Sequence, residues 1–335
     1  MSDFIDSRSI NEYEVIIPTI MENDYLLELC VDLLRLNMPN GLKKITLIGP
    51  SFIELSARKF NVDFIHEDEL LEFKLRDINA YFEKNNLLKN RSGWYMQQFI
   101  KLGYALRKET LEYYVTWDGD TLLLKNIPLF ENEKPIFYIC EGYWPPYFKT
   151  LHKLLGIEKK IIPSFISEFM IFKKIIVKDL FNKICSRNNV ILRDVFTTIL
   201  DSIDKNDIIS GFSEFETYGN YVEKFHTGSY AFRNLEKQRN GSAYFGFFPN
   251  KDNLDWLACA YDTASFEKWT VCHRYEKKMV HWFFQKKINP KFVFKLVYIA
   301  HGIYYKLIKI ARGINRKINS VMHRITSALS QIIML

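Results

Sequence analysis

The first 120 residues alternate four times between short apolar runs and helically spaced segments, and this succession constrains the fold more than any other feature of the chain. An apolar run at 14–18 ends on Pro18 and reads as a buried strand. Leu26, Leu29, Leu33 and Leu36 then repeat at helical spacing over 24–36. A second strand is predicted at 44–49, closed by Gly49-Pro50, and a helix over 52–59 leads to a third strand at 62–65. Helical spacing returns over 68–84, followed by a polar loop at 85–92, a helix from Gly93 towards Arg107, and a β-rich run at 112–117. Such a series implies a mainly parallel sheet with helices on both faces, in which ligands bind beyond the carboxyl ends of the strands.

At 335 residues, with 48% hydrophobic residues, the chain can build a sizeable core, so global disorder is excluded. The five cysteines have no regular spacing and point to free thiols in a reducing compartment. The first fifteen residues lack an apolar core, so no secretory signal is expected. The net charge of +7 hides an asymmetry: beyond Glu276 there are twelve Lys and Arg and no acid, which leaves the body mildly acidic. This argues against a nucleic-acid-binding body. A division into a body over 1–285 and a basic helical tail over 286–335 is expected.

Directly after the fourth strand stands Asp118-Gly-Asp120. Two carboxylates one residue apart at a strand end can share a Mg²⁺ or Mn²⁺ ion and leave places for substrate phosphates. Glycine between them would let the backbone turn sharply. The triplet is common by chance; its place after a strand is what singles it out, against a solvated turn. On the preceding helix, Trp94, Gln98 and Lys101 recur near i, i+4, i+7 with Gln97 beside them; they either reach a nucleotide diphosphate or form an ordinary solvated face.

These pieces, Val15-Ile-Ile-Pro-Thr19, Gly93-Trp-Tyr-Met-Gln-Gln-Phe-Ile-Lys101 and Trp117-Asp-Gly-Asp120, belong to a longer series. It continues with Glu141-Gly-Tyr-Trp-Pro-Pro-Tyr147, Ser164-Phe-Ile-Ser-Glu-Phe-Met170 and Phe212-Ser-Glu-Phe-Glu-Thr-Tyr-Gly-Asn-Tyr221. Together, over about 13–260, the series resembles bacterial GT-A type glycosyltransferase-like proteins of surface-polysaccharide biosynthesis. The resemblance implies a Rossmann-like GT-A domain in which Asp118 and Asp120 hold Mn²⁺ or Mg²⁺ against a nucleotide-sugar donor, a UDP-sugar being favoured. Asp118 would also touch the ribose, Pro18 and Thr19 would lie near the base, and Gln98 and Lys101 near the phosphates or sugar. A histidine often completes such a metal shell, which nominates His226.

Transfer to a hydroxyl calls for a carboxylate base. Glu216 and Glu214, in a stretch expected to be an acceptor-side loop and pointing the same way only if it is extended, are ranked ahead of Glu168 and Glu141, although each reads more readily as a binding or solvated carboxylate. The aromatic-proline segment around Trp144 and Tyr147 suits stacking on a sugar or a plain turn. In the tail, an apolar stripe from Ile303 to Ile332, with the bases largely off it, reads as an interfacial anchor on an anionic membrane or as a packed helix. The expectation is a cytoplasmic enzyme, peripheral on the inner face of the membrane, using a glycan or lipid-linked acceptor and no nucleic acid. A metal-dependent nucleotidyltransferase is the alternative, weakened because Pro18-Thr-Ile-Met21 offers neither glycine nor base for a triphosphate. A non-catalytic, membrane-peripheral carbohydrate-binding protein is the other.

Overall fold

The computed structural model describes residues 11–20, 24–87, 91–159, 163–303 and 306. By compactness the described chain divides into two units. The first takes residues up to Gly241 together with Tyr261–Lys268, and the second takes Ser242–Ala260 and residues from Trp269 onward.

The first unit is mixed α/β with a mainly parallel sheet. Strand β1 (Tyr13–Pro18) leads through helix α1 (Asp24–Asn37) to β2 (Leu42–Gly49), and α2 (Ile53–Phe60) leads on to β3 (Asp63–His66). Helices α3 (Glu67–Leu70), α4 (Leu75–Lys84) and α5 (Ser92–Gly103) precede β4 (Tyr113–Trp117). The expected single helix over 68–84 is two helices: the Asp77 carboxylate accepts the Lys74 backbone N–H at 2.8 Å and starts a new first turn. Likewise α5 stops at Gly103 and passes into one tighter turn, Tyr104–Leu106, short of the expected Arg107.

After β4 come β5 (Thr121–Leu123), β6 (Phe130–Glu131), β7 (Lys134–Ile139), α6 (Pro145–Leu155), β8 (Phe169–Lys173), α7 (Lys174–Asn188), α8 (Val195–Ser202) and α9 (Glu214–Phe225). Strands β9 (Ala231–Asn234) and β10 (Lys237–Gln238) follow, and β11 (Thr263–Ser265) returns after a passage through the second unit. The main sheet runs β3-β2-β1-β4-β8, parallel except for β8. The order reverses at β1, so right-handed crossovers set α1 and α2 on one face and α5 on the other. Every residue of β1 is buried, as a strand covered on both faces requires. Two three-stranded sheets, β10-β11-β5 and β6-β7-β9, complete the unit.

The second unit contains α11 (Lys251–Ala258), α12 (Arg274–Gln285) and a helical run over 290–303. The short helix α10 (Gly241–Phe245) begins at the division. Trp256 packs edge-on to Phe284, with ring centres 5.6 Å apart, and its indole N–H donates to the Ile288 carbonyl at 2.7 Å. Val293 and Val297 are buried, so the tail begins as packed core. The expected stripe lies outside the described residues apart from Ile303. No described helix is long and apolar enough to cross a membrane.

Candidate functional site

Pairing sets the site. The β1–β4 register matches Ile16 with Thr116, so Pro18 and Asp118 finish at the same sheet edge, where the strand order reverses. Asp118 to Thr121 form a tight turn, closed by the Thr121 N–H on the Asp118 carbonyl at 3.0 Å. Trp117, fully buried and stacked on Phe169, ties that turn down by donating to the Thr121 carbonyl at 2.7 Å. Gly119 does not take a positive φ, so what glycine offers in this turn is the absence of a side chain beside the aspartates.

The antiparallel partner β8 places Glu168 beside this turn: the Asp118 N–H donates to the Glu168 carbonyl at 3.0 Å. Strand β11 pairs antiparallel with β5, and the Phe266 N–H reaches the Asp120 carbonyl at 2.8 Å. Glu267 follows directly. Strand β10 runs parallel to β11 and adds Lys237 and, just beyond it, Arg239. Arg239 Nη2 lies 2.6 Å from Glu267 Oε1 and Arg239 Nε 3.5 Å from Glu168 Oε1, while Lys237 Nζ is 3.2 Å from the same Glu168 oxygen.

From the other side, α5 carries Lys101, whose side chain is only 5% exposed. Its ammonium lies 2.8 Å from Asp118 Oδ1 and 3.0 Å from Glu214 Oε1. Burial alone would lower its pKa; the two carboxylates outweigh that and raise it, so it stays charged. The alternative of an ordinary solvated face therefore does not hold for Gln98 and Lys101, which are buried. Gln97 bridges at the 3.5 Å limit to the Pro18 carbonyl and Asp118 Oδ1. Gln98 accepts from the Glu214 N–H, and its buried Nε2 has no hydrogen-bond partner among the described residues. Thr19 is buried at the end of β1, where Gly49 gives it room: a Cβ on Gly49 would come within 2.3 Å of the Thr19 carbonyl.

Five carboxylates (Asp118, Asp120, Glu168, Glu214 and Glu267) thus share the site with three cations (Lys101, Lys237 and Arg239). The surplus is negative and shows in the titration of Asp120, pushed up to about 7 by burial and then by Asp118 and Glu267. Glu168 is raised too, chiefly by burial, and its buried Oε2 has no hydrogen-bond partner among the described residues. Oxygen ligands with excess negative charge fit a hard divalent cation. Among the described residues no three His, Cys, Asp or Glu are grouped to enclose a metal by themselves. Such an ion would rest on Asp118 and Asp120, with its other positions open to ligand oxygens or water.

Three expectations need correcting. His226 does not join the aspartates: it caps the far end of the twelve-residue α9, roughly 18 Å along the axis from Glu214. There its Nε2 lies 2.8 Å from Asp179. The stretch holding Glu214 and Glu216 is a helix, not a loop, because Ser213 caps it by accepting the Glu216 N–H. Two residues apart on a helix, the glutamates point to different sides. Finally, Glu216 is filled as an acceptor: Ser164 Oγ and the Phe165 N–H bind Oε1, and Lys159 Nζ and Asn220 Nδ2 bind Oε2. It fastens Lys159, Ser164 and Phe165 to α9. Glu267, Arg239 and Lys237 were not foreseen, since only the β5–β11–β10 pairing brings them to Asp120.

No family model and no curated protein matches this chain. Among solved structures it is similar to mouse xyloside xylosyltransferase 1 in its apo form. The TM-score is 0.41 and the identity 9%, over 79% of this chain and 100% of that one.

Proposed function

We propose that the protein is a metal-dependent GT-A type glycosyltransferase, moving a sugar from a nucleotide-sugar donor to a glycan or lipid-linked acceptor in surface glycan synthesis. The observation that carries this reading is the negatively charged cluster at the end of β4, where Asp118 and Asp120 outnumber the local cations together with Glu168, Glu214 and Glu267. A Mn²⁺ or Mg²⁺ ion bound there supplies neutralisation of charge on the departing nucleoside diphosphate. Lys101 holds Asp118 in place from a buried position. Arg239, half exposed and next to both Glu168 and Glu267, is the cation free enough to meet a phosphate. Pro18 and Thr19 border the same edge and would flank the nucleoside, with Gln97 and Gln98 towards the phosphates or sugar.

Of the two glutamates, we assign removal of the acceptor proton to Glu214, whose carboxylate adjoins the Asp118 site; Glu216 holds the fold. The basic tail, whose stripe lies outside the described residues, is assigned to an anionic membrane on the cytoplasmic side. The test of the enzyme reading is a thermal-shift screen of UDP-, GDP-, CMP- and TDP-sugars with and without Mn²⁺. A metal-dependent rise in Tm for one nucleotide class supports it; no nucleotide or metal response contradicts it.

A further inference from the structure

The segment before α6 carries two large aromatic rings, Tyr143 and Trp144, with 48% and 50% of their surface open. Neither ring is loose. The Trp144 indole N–H donates to the Ser210 carbonyl at 3.0 Å and lies 3.2 Å from its hydroxyl, which fixes the ring by its edge. Tyr143 stacks on Phe148 with ring centres 4.6 Å apart. Pro145 and Pro146 occupy the first turn of α6 and stiffen the backbone between the rings and the helix.

The loop that receives Trp144 is held from several sides. Tyr95 donates to the Ile208 carbonyl, Arg91 to the Ile209 carbonyl at 2.7 Å, and Thr150 to the Gly211 carbonyl at 2.6 Å. Arg91 also lies over the Trp94 ring, 4.3 Å from its centre. Ser210 stands four residues before Glu214, so at most about 14 Å of chain separates them. Glu214 in turn meets Lys101, and Lys101 meets Asp118. Tyr147, in the first turn of α6, feels the charges of Glu214, Arg91, Glu216 and Arg239.

We infer that Tyr143, Trp144 and Tyr147 form an acceptor subsite for a neutral oligosaccharide, one sugar ring lying on the open face of Trp144 and the chain running towards Glu214. The inference rests on the glycosyltransferase reading and adds to it the acceptor class. Flat aromatic faces take the C–H face of a pyranose, while nearby polar groups take its hydroxyls. Ser210, Arg91 and the Lys149–Asp207 pair (3.0 Å) provide such groups around the rings. A lipid chain would want a continuous apolar groove, whereas here polar groups interrupt the aromatic surface. The span of up to about 14 Å between Ser210 and Glu214 leaves room for an acceptor longer than one sugar.

The full-length protein, free of metal and nucleotide, is tested by saturation-transfer NMR and tryptophan fluorescence. The probes are maltotetraose, cellotetraose, xylotetraose and chitotetraose, with a short-chain prenyl phosphate as the lipid control. At least one oligosaccharide should bind saturably. Trp144→Ala should weaken that binding roughly tenfold or more, Trp144→Phe should restore part of it, and Tm should stay put because the ring is half exposed. No binding by any oligosaccharide, equal affinity in Trp144→Ala, or binding of the prenyl phosphate alone overturns the assignment. Mn²⁺–nucleotide binding is measured on the same variants and should not change. Its absence in the wild type would count against the enzyme reading, not the subsite.

Discussion

Asp120 shows most clearly how the site departs from ordinary solution behaviour. In the fold its carboxyl titrates at about 7, against 3.8 normally, so the folded state favours the protonated form. A carboxyl raised in this way contributes stability below its unfolded pKa and loses that contribution as pH rises through about 7. The metal-free protein should therefore lose stability between about pH 4 and pH 7. Asp120→Asn should remove that loss, by ~1–3 kcal/mol after screening by solvent, seen as a raised Tm near neutral pH and a flatter Tm–pH curve. Lys101 makes the opposite case. Lys101→Met leaves Asp118 and Glu214 without their cation in a nearly closed site and should cost about 3–5 kcal/mol in urea unfolding. An unchanged midpoint would show that the pair is not buried in solution.

Helix α9 is where element-level reading of the sequence failed and where the structure gives its reason. Glycine, asparagine and β-prone aromatics made 212–221 look like a loop, but Ser213 caps a helix and Gly219 is packed against, not turned. A Cβ on Gly219 would meet the Phe165 ring at 2.3 Å, so Gly219→Val should destabilise the protein by about 1–3 kcal/mol or more. Glu216→Ala should cost at least as much, because it removes the carboxylate that Lys159, Ser164, the Phe165 N–H and Asn220 share; both are read from denaturant midpoints. By contrast β1 to β4 were legible, since apolar runs punctuated by Pro18 and Gly49-Pro50 need no partner to be recognised. Asp118 and Asp120 were legible for the same reason: their place follows from the strand before them. Glu267 and Arg239 were not, because nothing local in Phe266-Glu267 announces the bond to Asp120, 146 positions before Phe266, and nothing in Arg239-Asn240 announces Glu168, 71 positions before Arg239.

At the scale of the molecule, the acid-free end of the chain begins as packed structure: the Ile288 carbonyl accepts from Trp256, and Val293 and Val297 are buried. A membrane role, if carried by the later stripe, is separable from that packing. The full chain should float with anionic vesicles, and a chain ending at Ile303, which keeps Val293 and Val297, should not; equal flotation of the two would contradict the anchor. The central claim is that Asp118 and Asp120 seat a divalent ion against a nucleotide diphosphate. It is tested most directly by titrating Mn²⁺ with UDP and with GDP into the wild type, Asp118→Ala and Asp120→Ala by calorimetry. The account predicts Mn²⁺-dependent nucleotide binding that falls at least tenfold in each variant. Nucleotide affinity indifferent both to Mn²⁺ and to the two substitutions would contradict it.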